Sequence, residues 1–195
     1  MTSAGSSAPR VDPRVTRSRA AVLTATIDLL SEKGIAGTTI EAVAARSGVA
    51  KTTIYRQWPD QPSLVLDAFA SQLATPQPPD TGTLRGDLLL MLRGLADALT
   101  TSTAARLMPA LIDAAERDPA YRELHRREAH TRHLAVRTVL ARGIARGELA
   151  RNTDIDLYVD LLAGPLFHRR WVSASAVDRR FVTALVDTIL GPQHG

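Results

Sequence analysis

Residues 38–58 read TTIEAVAARSGVAKTTIYRQW. Two helical patterns lie here, separated by three residues. Thr38-Thr39-Ile40-Glu41 fits a capping box, with Thr38 as N-cap and Glu41 reaching back to the backbone, and Ile40, Val43 and Ala44 supply the buried face. Ser47-Gly48-Val49 stops that helix after about two turns, because glycine enters the left-handed conformation that ends helices at no steric cost. The pattern resumes at once and runs to about Trp58, where Pro59 and Asp60 end it. Two short helices joined by a Gly-containing turn form a helix-turn-helix, whose second helix enters the DNA major groove. The second segment has the composition that this role needs. Ala50, Lys51, Thr52 and Thr53 are small or polar enough to approach base edges, Ile54 turns inward, and Tyr55, Arg56 and the indole edge of Trp58 are placed to hold phosphates. A buried hairpin would carry Leu or Val at several of these positions.

Outward from this stretch the chain is helical in pattern throughout. A helix is predicted from Pro13 to Lys33, with Leu23, Ile27 and Leu30 on one face and Gly34 as its stop. Asp60 caps a further helix carrying Leu64, Leu66 and Phe69. The Pro-rich run TPQPPDTGT at 75–83 reads as a linker. Beyond it, helices are predicted over 84–99, 104–117 (with Pro109 as a kink or a true start), 119–146, 154–172 and 178–190. Thr153 and Ser175 are the expected caps of the last two. The third of these helices is on the order of 40 Å long if unbroken. No alternating strand pattern occurs, so the expected fold is all-α. It comprises a disordered arm at 1–12, a three-helix helix-turn-helix domain at 13–74, and a helical effector-binding and dimerisation domain at 84–195.

Composition narrows the function classes. The 195 residues contain no cysteine, which removes disulfide frameworks and thiolate metal sites. No apolar run reaches the ~20 residues of a membrane span, and the first residues lack a secretory h-region, so a cytoplasmic protein without membrane contact is expected. The net charge of +4 permits a nucleic-acid partner, and its distribution favours one. Arg10, Arg14, Arg17 and Arg19 cluster near the start, where a flexible segment can reach phosphates or the minor groove. Arg46, Lys51 and Arg56 lie in a stretch without acid between Glu41 and Asp60.

The run AVLTATIDLLSEKGIAGTTIEAVAARSGVAKTTIYRQWPDQPSL at 21–64 resembles the DNA-binding domain of the tetracycline-repressor (TetR) family of bacterial regulators. The likeness is carried by Glu32-Lys33-Gly34, then Thr38, Thr39, Ile40, Val43, Ala44, Gly48 and Val49, then Thr53-Ile54-Tyr55 and the aromatic Trp58. The resemblance implies a homodimeric transcriptional regulator, typically a repressor, that binds a palindromic double-stranded DNA operator and is released by a small-molecule effector. Its DNA-contacting residues would be Thr38, Thr39, Ala50, Lys51, Thr52, Thr53, Tyr55, Arg56 and Trp58. Two positions depart from the family pattern. Gln61 stands where the family usually has a phosphate-binding lysine, and Thr52 where it often has glycine or another small residue. The segments at 146–172 and 178–192 resemble one effector-domain type of the same family.

Residues 155–167 are apolar nearly all round, and Phe181, Val182, Leu185, Val186 and Ile189 form a broad stripe on the last helix. The excess apolar surface suits a four-helix dimer interface made by Ile155, Tyr158, Leu162, Leu166, Phe181, Leu185, Val186 and Ile189. Met91, Leu95, Leu107, Met108, Leu111, Leu134, Phe167 and Trp171 are the candidate walls of an effector pocket, the methionines first because they adapt to irregular shapes. His125, His130 and His133, with Glu128, offer the alternative of a helical metal-binding protein or enzyme. Neighbouring arginines oppose a cation there, and a solvated basic face is the better reading. No Gly-rich phosphate loop, nucleophile elbow or HExxH pattern occurs, so neither a catalytic residue, nor a metal, nor a cofactor is assigned.

Overall fold

The structure, a computed structural model, describes residues 13–72 and 77–191. The expected arm at 1–12 lies outside the described residues. The fold is all-α: nine helices and one π-helical turn are present among the described residues, with no strand. They divide into two compact units, the first ending at Ser71 and the second starting at Gln72.

The first unit contains α1 (Pro13–Lys33), α2 (Ile40–Ser47), α3 (Lys51–Gln57) and α4 (Gln61–Ser71). α1 packs on α2 and α4, and α2 packs on α3. Val22, Ala25 and Leu29 of α1, Ile40 and Val43 of α2, Ile54 of α3, Trp58, and Leu64 of α4 form one buried cluster. Each such aliphatic side chain contributes about 1.5–3 kcal/mol by leaving water. The N-cap of α2 is Thr39, not Thr38: the Thr39 hydroxyl accepts from the Ala42 N–H at 3.1 Å. Thr38 is fully buried and donates its own hydroxyl to the Gly34 carbonyl at 2.7 Å. Starting the helix one residue later turns the hydroxyl of Thr38 back onto the end of α1.

The second unit contains α5 (Leu84–Thr101), α6 (Thr103–Arg117), α7 (Pro119–Ala145), α8 (Ile155–Phe167), a π turn (His168–Val172) and α9 (Arg179–Leu190). α5 is the central element, packed against α6, α7, α8 and α9. Its Leu84, Leu88, Leu89, Leu92, Ala96 and Leu99 meet Val139 and Leu140 of α7, Val159, Leu162 and Leu166 of α8, and Val182 and Val186 of α9. The crossing of α5 and α7 is close because position 143 is glycine: a Cβ there would stand 2.9 Å from Leu84 Cδ2. Ser102 caps α6, so Pro109 lies inside that helix and does not start it. α8 and α9 are capped by Asp154 and Asp178, one residue before each helix, in place of Thr153 and Ser175. The helix expected to run to Val172 changes geometry at His168, and the Ser173 N–H bonds back to the His168 carbonyl at 2.9 Å. That wider turn sets the Arg169 guanidinium 4.2 Å from the centre of the Phe181 ring on α9, and the Arg170 Nε donates to the Leu99 carbonyl at 3.0 Å.

Candidate nucleic-acid interface and ligand cavity

Gly48 ends α2 with φ 70° and ψ 9°, its N–H donating to the Ala44 carbonyl at 3.0 Å. A Cβ at this position would meet nothing within 4 Å, so the backbone conformation alone calls for glycine. The chain re-enters helix at Lys51 without a side-chain cap, and the Ala50 carbonyl takes the N–H groups of both Thr53 and Ile54. On α3, Ile54 is fully buried and Trp58 nearly so, an i, i+4 pair that fastens the helix inward. Lys51, Thr52, Tyr55 and Arg56 are exposed on the opposite side, with Ala50 just before them and Thr53 at the border. This outward face has small residues at its N-terminal end and a phenol and a guanidinium further along.

Two residues expected at the DNA face are not on it. Thr38 has no exposed surface, and Trp58 is 3% exposed, with its indole N–H donated to Asp67 Oδ2 at 2.7 Å. Burying an aromatic ring this large outweighs any contact its edge could make with phosphate. Thr39 remains exposed, although its oxygen already caps α2. Arg19 is also engaged: its Nη2 reaches Asp67 Oδ1 at 2.8 Å, and its guanidinium lies 5.3 Å from the centre of the Trp58 ring. Gln61 acts as a staple, its Nε2 donating to the carbonyls of Ile35 and Thr38, both at 2.9 Å. Nothing local marks Asp67 and Gln61 for these roles, because each links segments far apart in the chain.

Charge around the reading face is organised by ion pairs. Arg46 bonds Glu32 through two hydrogen bonds of 2.7 Å, fixing α2 to α1. That pair holds the Glu32 carboxyl below its ordinary pKa. Lys51 Nζ lies 3.3 Å from Glu41 Oε1, with both side chains more than half exposed. Hydrogen bonding from its own backbone N–H, then from Lys51, holds the Glu41 carboxyl below its ordinary range. So loose a pair in water leaves the lysine able to exchange Glu41 for a phosphate or a base edge.

Two neighbouring cavities lie among the described residues of the second unit. One, of about 400 Å³, lies between α5, α6, α7 and α8. The other, of about 450 Å³, is walled by α5, α7, α8 and the segment at 77–79. Leu95, Ala98, Arg132, His133, Val159, Ala163 and Phe167 belong to both walls. Of the residues expected to form a pocket, Leu95 and Phe167 line both cavities, Met108 lines the first and Met91 the second. Leu107, Leu111, Leu134 and Trp171 line neither. Leu134 is 51% exposed, one position round α7 from the buried Ala135, and cannot face an interior space. Trp171 packs on Phe167 from behind, ring centres 5.0 Å apart.

The histidines do not behave as a solvated basic face. His125, Ala129, Arg132, His133 and Val136 recur at helical spacing along α7 and all line cavity wall, whereas His130 is exposed. Burial first, then the Arg132 charge, lowers the His125 pKa. Burial again, then Arg137 and Arg132, lowers that of His133, against a weaker opposing pull from Asp160. Among the described residues no group of three His, Cys, Asp or Glu could hold a metal ion. The register of Tyr121, Ala135 and Val139, all buried, was the signal in the sequence that would have turned His125, Arg132 and His133 inward.

The expected dimer residues also divide. Leu162, Leu166 and Val186 are at most 1% exposed within the single chain and belong to its core, so they present no surface to a partner. Ile155, Tyr158, Phe181, Leu185 and Ile189 are half-buried against that same core. The exposed apolar residues of α8 are Leu157 and Leu161, one turn apart. Among the described residues, no helix is long and apolar enough to cross a membrane.

Comparison with known proteins accounts for both units. Residues 22–68 match the bacterial regulatory proteins of the tetR family, and residues 78–189 match the tetracyclin repressor-like C-terminal domain. The chain is 35% identical over 176 residues to the HTH-type transcriptional regulator YdeS of Bacillus subtilis, covering 89% of this chain and 88% of that one. It is 34% identical to the DNA-binding transcriptional repressor TetR of Mycobacteroides abscessus, covering 88% and 90%. A solved structure, the TetR family transcription regulator SCO0332, superposes with a TM-score of 0.70 at 36% identity over 89% of this chain and 97% of that one. A helix-turn-helix with a polar outward face, joined to this C-terminal domain and these relatives, makes the chain a member of the tetR family, a DNA-binding transcriptional regulator.

Proposed function

We propose that the protein is a repressor that binds a palindromic operator as a homodimer and is released when a small molecule enters the C-terminal unit. The observation that carries the DNA-reading part is the outward face of α3, with Lys51, Thr52, Tyr55 and Arg56 exposed around the buried Ile54. In this reading Ala50, Lys51, Thr52 and Thr53 approach base edges. Tyr55, Arg56 and Thr39 hold phosphates, and Arg14 and Arg17 of α1 are further phosphate contacts. Gln61 takes no part in DNA contact, since its amide is committed to two carbonyls.

Twofold pairing is supported by Leu157 and Leu161, with the outer edge of α9 at Ala184 and Thr188 offering small side chains for close approach. A dimer lets two copies of α3 meet successive major grooves, about 34–36 Å apart on B-DNA. A ligand shifts the protein off DNA only through differential affinity for two arrangements; a coupling of about 1–3 kcal/mol changes operator affinity about 5–150-fold. The cavities walled by Leu95, Met108, Met91 and Phe167 support ligand entry. No step of this reading needs catalysis or a cofactor.

Selection of bound fragments from a random duplex library with the purified full chain tests the proposal. Enrichment of an inverted repeat with two equal half-sites is expected. Recovery of sequences without a common motif would overturn sequence-specific reading, and a single unrepeated motif would overturn the dimer.

A further inference from the structure

The cavity between α5, α6, α7 and α8 is walled mostly by apolar side chains, among them Leu95, Met108 and Phe167. Four ionisable side chains share that wall: His125, Arg132 and His133 from α7, and Asp160 from α8. Their charges leave nothing for a charged guest to complete. Arg132 is engaged within the protein, and Glu128 acts on its charge. Asp160 is exposed and solvated. Burial disfavours the charged forms of both histidines, so each imidazole is neutral at neutral pH. What remains unmet in the wall is a hydrogen bond. His125 Nδ1 is buried and has no hydrogen-bond partner among the described residues. A buried polar atom left unpaired costs free energy, which a guest carrying the complementary group recovers.

We propose that this cavity binds an uncharged, largely apolar molecule bearing a hydroxyl group, with the hydroxyl hydrogen-bonded to the His125 imidazole. The assignment rests on the reading of the C-terminal unit as effector-binding and specifies the class of effector. A hydroxyl is the group that fits, because a neutral imidazole has one nitrogen that donates and one that accepts, and a hydroxyl does both. It pairs with His125 whichever nitrogen carries the proton. A carbonyl or an ether only accepts, and so serves one tautomer alone. An anion or a cation would enter a mostly apolar space with its charge unmet, which costs more than one hydrogen bond returns. The body of the guest has its own surfaces. Phe167, backed by Trp171 with ring centres 5.0 Å apart, supplies a flat apolar face, and Met108 adapts to the outline of the guest. A phenol on an aromatic body uses all three side chains, His125, Met108 and Phe167.

Naphthol, methylnaphthalene, naphthoate and naphthylmethylamine, all substituted at the same ring position, test this by calorimetry on the full chain at neutral pH. Naphthol is expected to bind about 2–12-fold more tightly than methylnaphthalene, the equivalent of one net hydrogen bond. It should exceed the anion and the cation by at least about 10-fold, since each of these buries a charge. His125→Phe should bring naphthol and methylnaphthalene to parity. His125→Gln, which keeps a donor and an acceptor, should leave naphthol ahead, as should His133→Phe in the same wall. Circular dichroism and melting of each variant show that the fold survives. If His125→Phe does not fold, the Gln variant and the wild-type ranking decide. Equal binding of naphthol and methylnaphthalene, tighter binding of either charged probe, a preference that survives His125→Phe or is lost in His133→Phe, or no binding by any probe would each overturn the hydroxyl site. Operator binding, measured in the same samples by gel shift, tests the regulatory reading separately. A protein that selects naphthol yet binds no DNA keeps the site and loses the proposed function.

Discussion

Trp58 donates its indole N–H to Asp67 across 2.7 Å, tying the end of α3 to the middle of α4, and the same carboxylate receives Arg19 Nη2 from α1. One carboxylate thus joins three segments of the DNA-binding unit. Trp58→Phe keeps an aromatic side chain but deletes the hydrogen bond and part of the buried ring system. The variant should lose at least about 1.5–3 kcal/mol of stability, the range for a bond to a charged acceptor, with the vacated ring volume adding to it. Urea denaturation followed by circular dichroism measures this. DNA affinity, taken well below the melting temperature, should be unchanged; weaker binding with unaltered stability would return the indole to the DNA interface.

Lys51 and Thr38 make a contrasting pair. Lys51→Ala removes an exposed side chain whose partner Glu41 is equally exposed, so melting should hardly move. Affinity for the selected operator should fall about 5–150-fold, the equivalent of about 1–3 kcal/mol for a base-edge contact. Thr38→Val deletes a buried hydroxyl bonded to the Gly34 carbonyl and should act in the opposite sense, lowering the melting temperature and sparing affinity. Anisotropy titrations and thermal melts of both variants check the assignment; reversed outcomes would mean that Thr38 reaches DNA and Lys51 does not.

Leu157 and Leu161 are about half exposed on α8, whereas Val186 is sealed in the core. The double substitution Leu157→Glu/Leu161→Glu should yield a folded monomer in sedimentation velocity and abolish tight operator binding. Val186→Asp places a charge in the core and should unfold the C-terminal unit instead. A Leu157→Glu/Leu161→Glu protein that stays dimeric would move the interface elsewhere.

Acid should weaken the fold through His125 and His133. Burial lowers the pKa of both, with Arg132 adding to the effect at each and Arg137 and His130 adding to it at His133; Asp160 opposes it there. The unfolded chain therefore binds protons more readily than the folded one. Stability is fully present above the ordinary histidine value of about 6.5 and is lost as pH falls through it toward the depressed folded values. Urea midpoints measured between about pH 7.5 and 5 should decline, and His125→Gln/His133→Gln should flatten the decline. An equal slope in the variant would assign the acid sensitivity to other groups.

Much of this molecule was legible in one dimension. The all-α class, the start of α1 at Pro13, the stop at Gly48 and the inward turn of Ile54 follow from local rules: helix period, capping chemistry and the left-handed freedom of glycine. The outward face of α3 followed too, because seven residues of helix leave little choice once Ile54 is buried. Positions that depended on which helices meet were not legible. Leu162, Leu166 and Val186 looked like surplus apolar surface because α8 is apolar nearly all round, and only its packing on α5 and α9 shows which side is core and leaves Leu157 and Leu161 outside. Trp58 looked free to reach phosphate until α4 brought Asp67 to its indole. His125, Arg132 and His133 read as solvated charge because α7 is polar on both sides; the register of Tyr121, Ala135 and Val139 marks their face as the inward one, but no local rule says whether an inward polar face is packed or lines a cavity. That distinction is made by neighbours distant in the chain, α5, α6 and α8, which take α7 from water along one face and leave the other exposed.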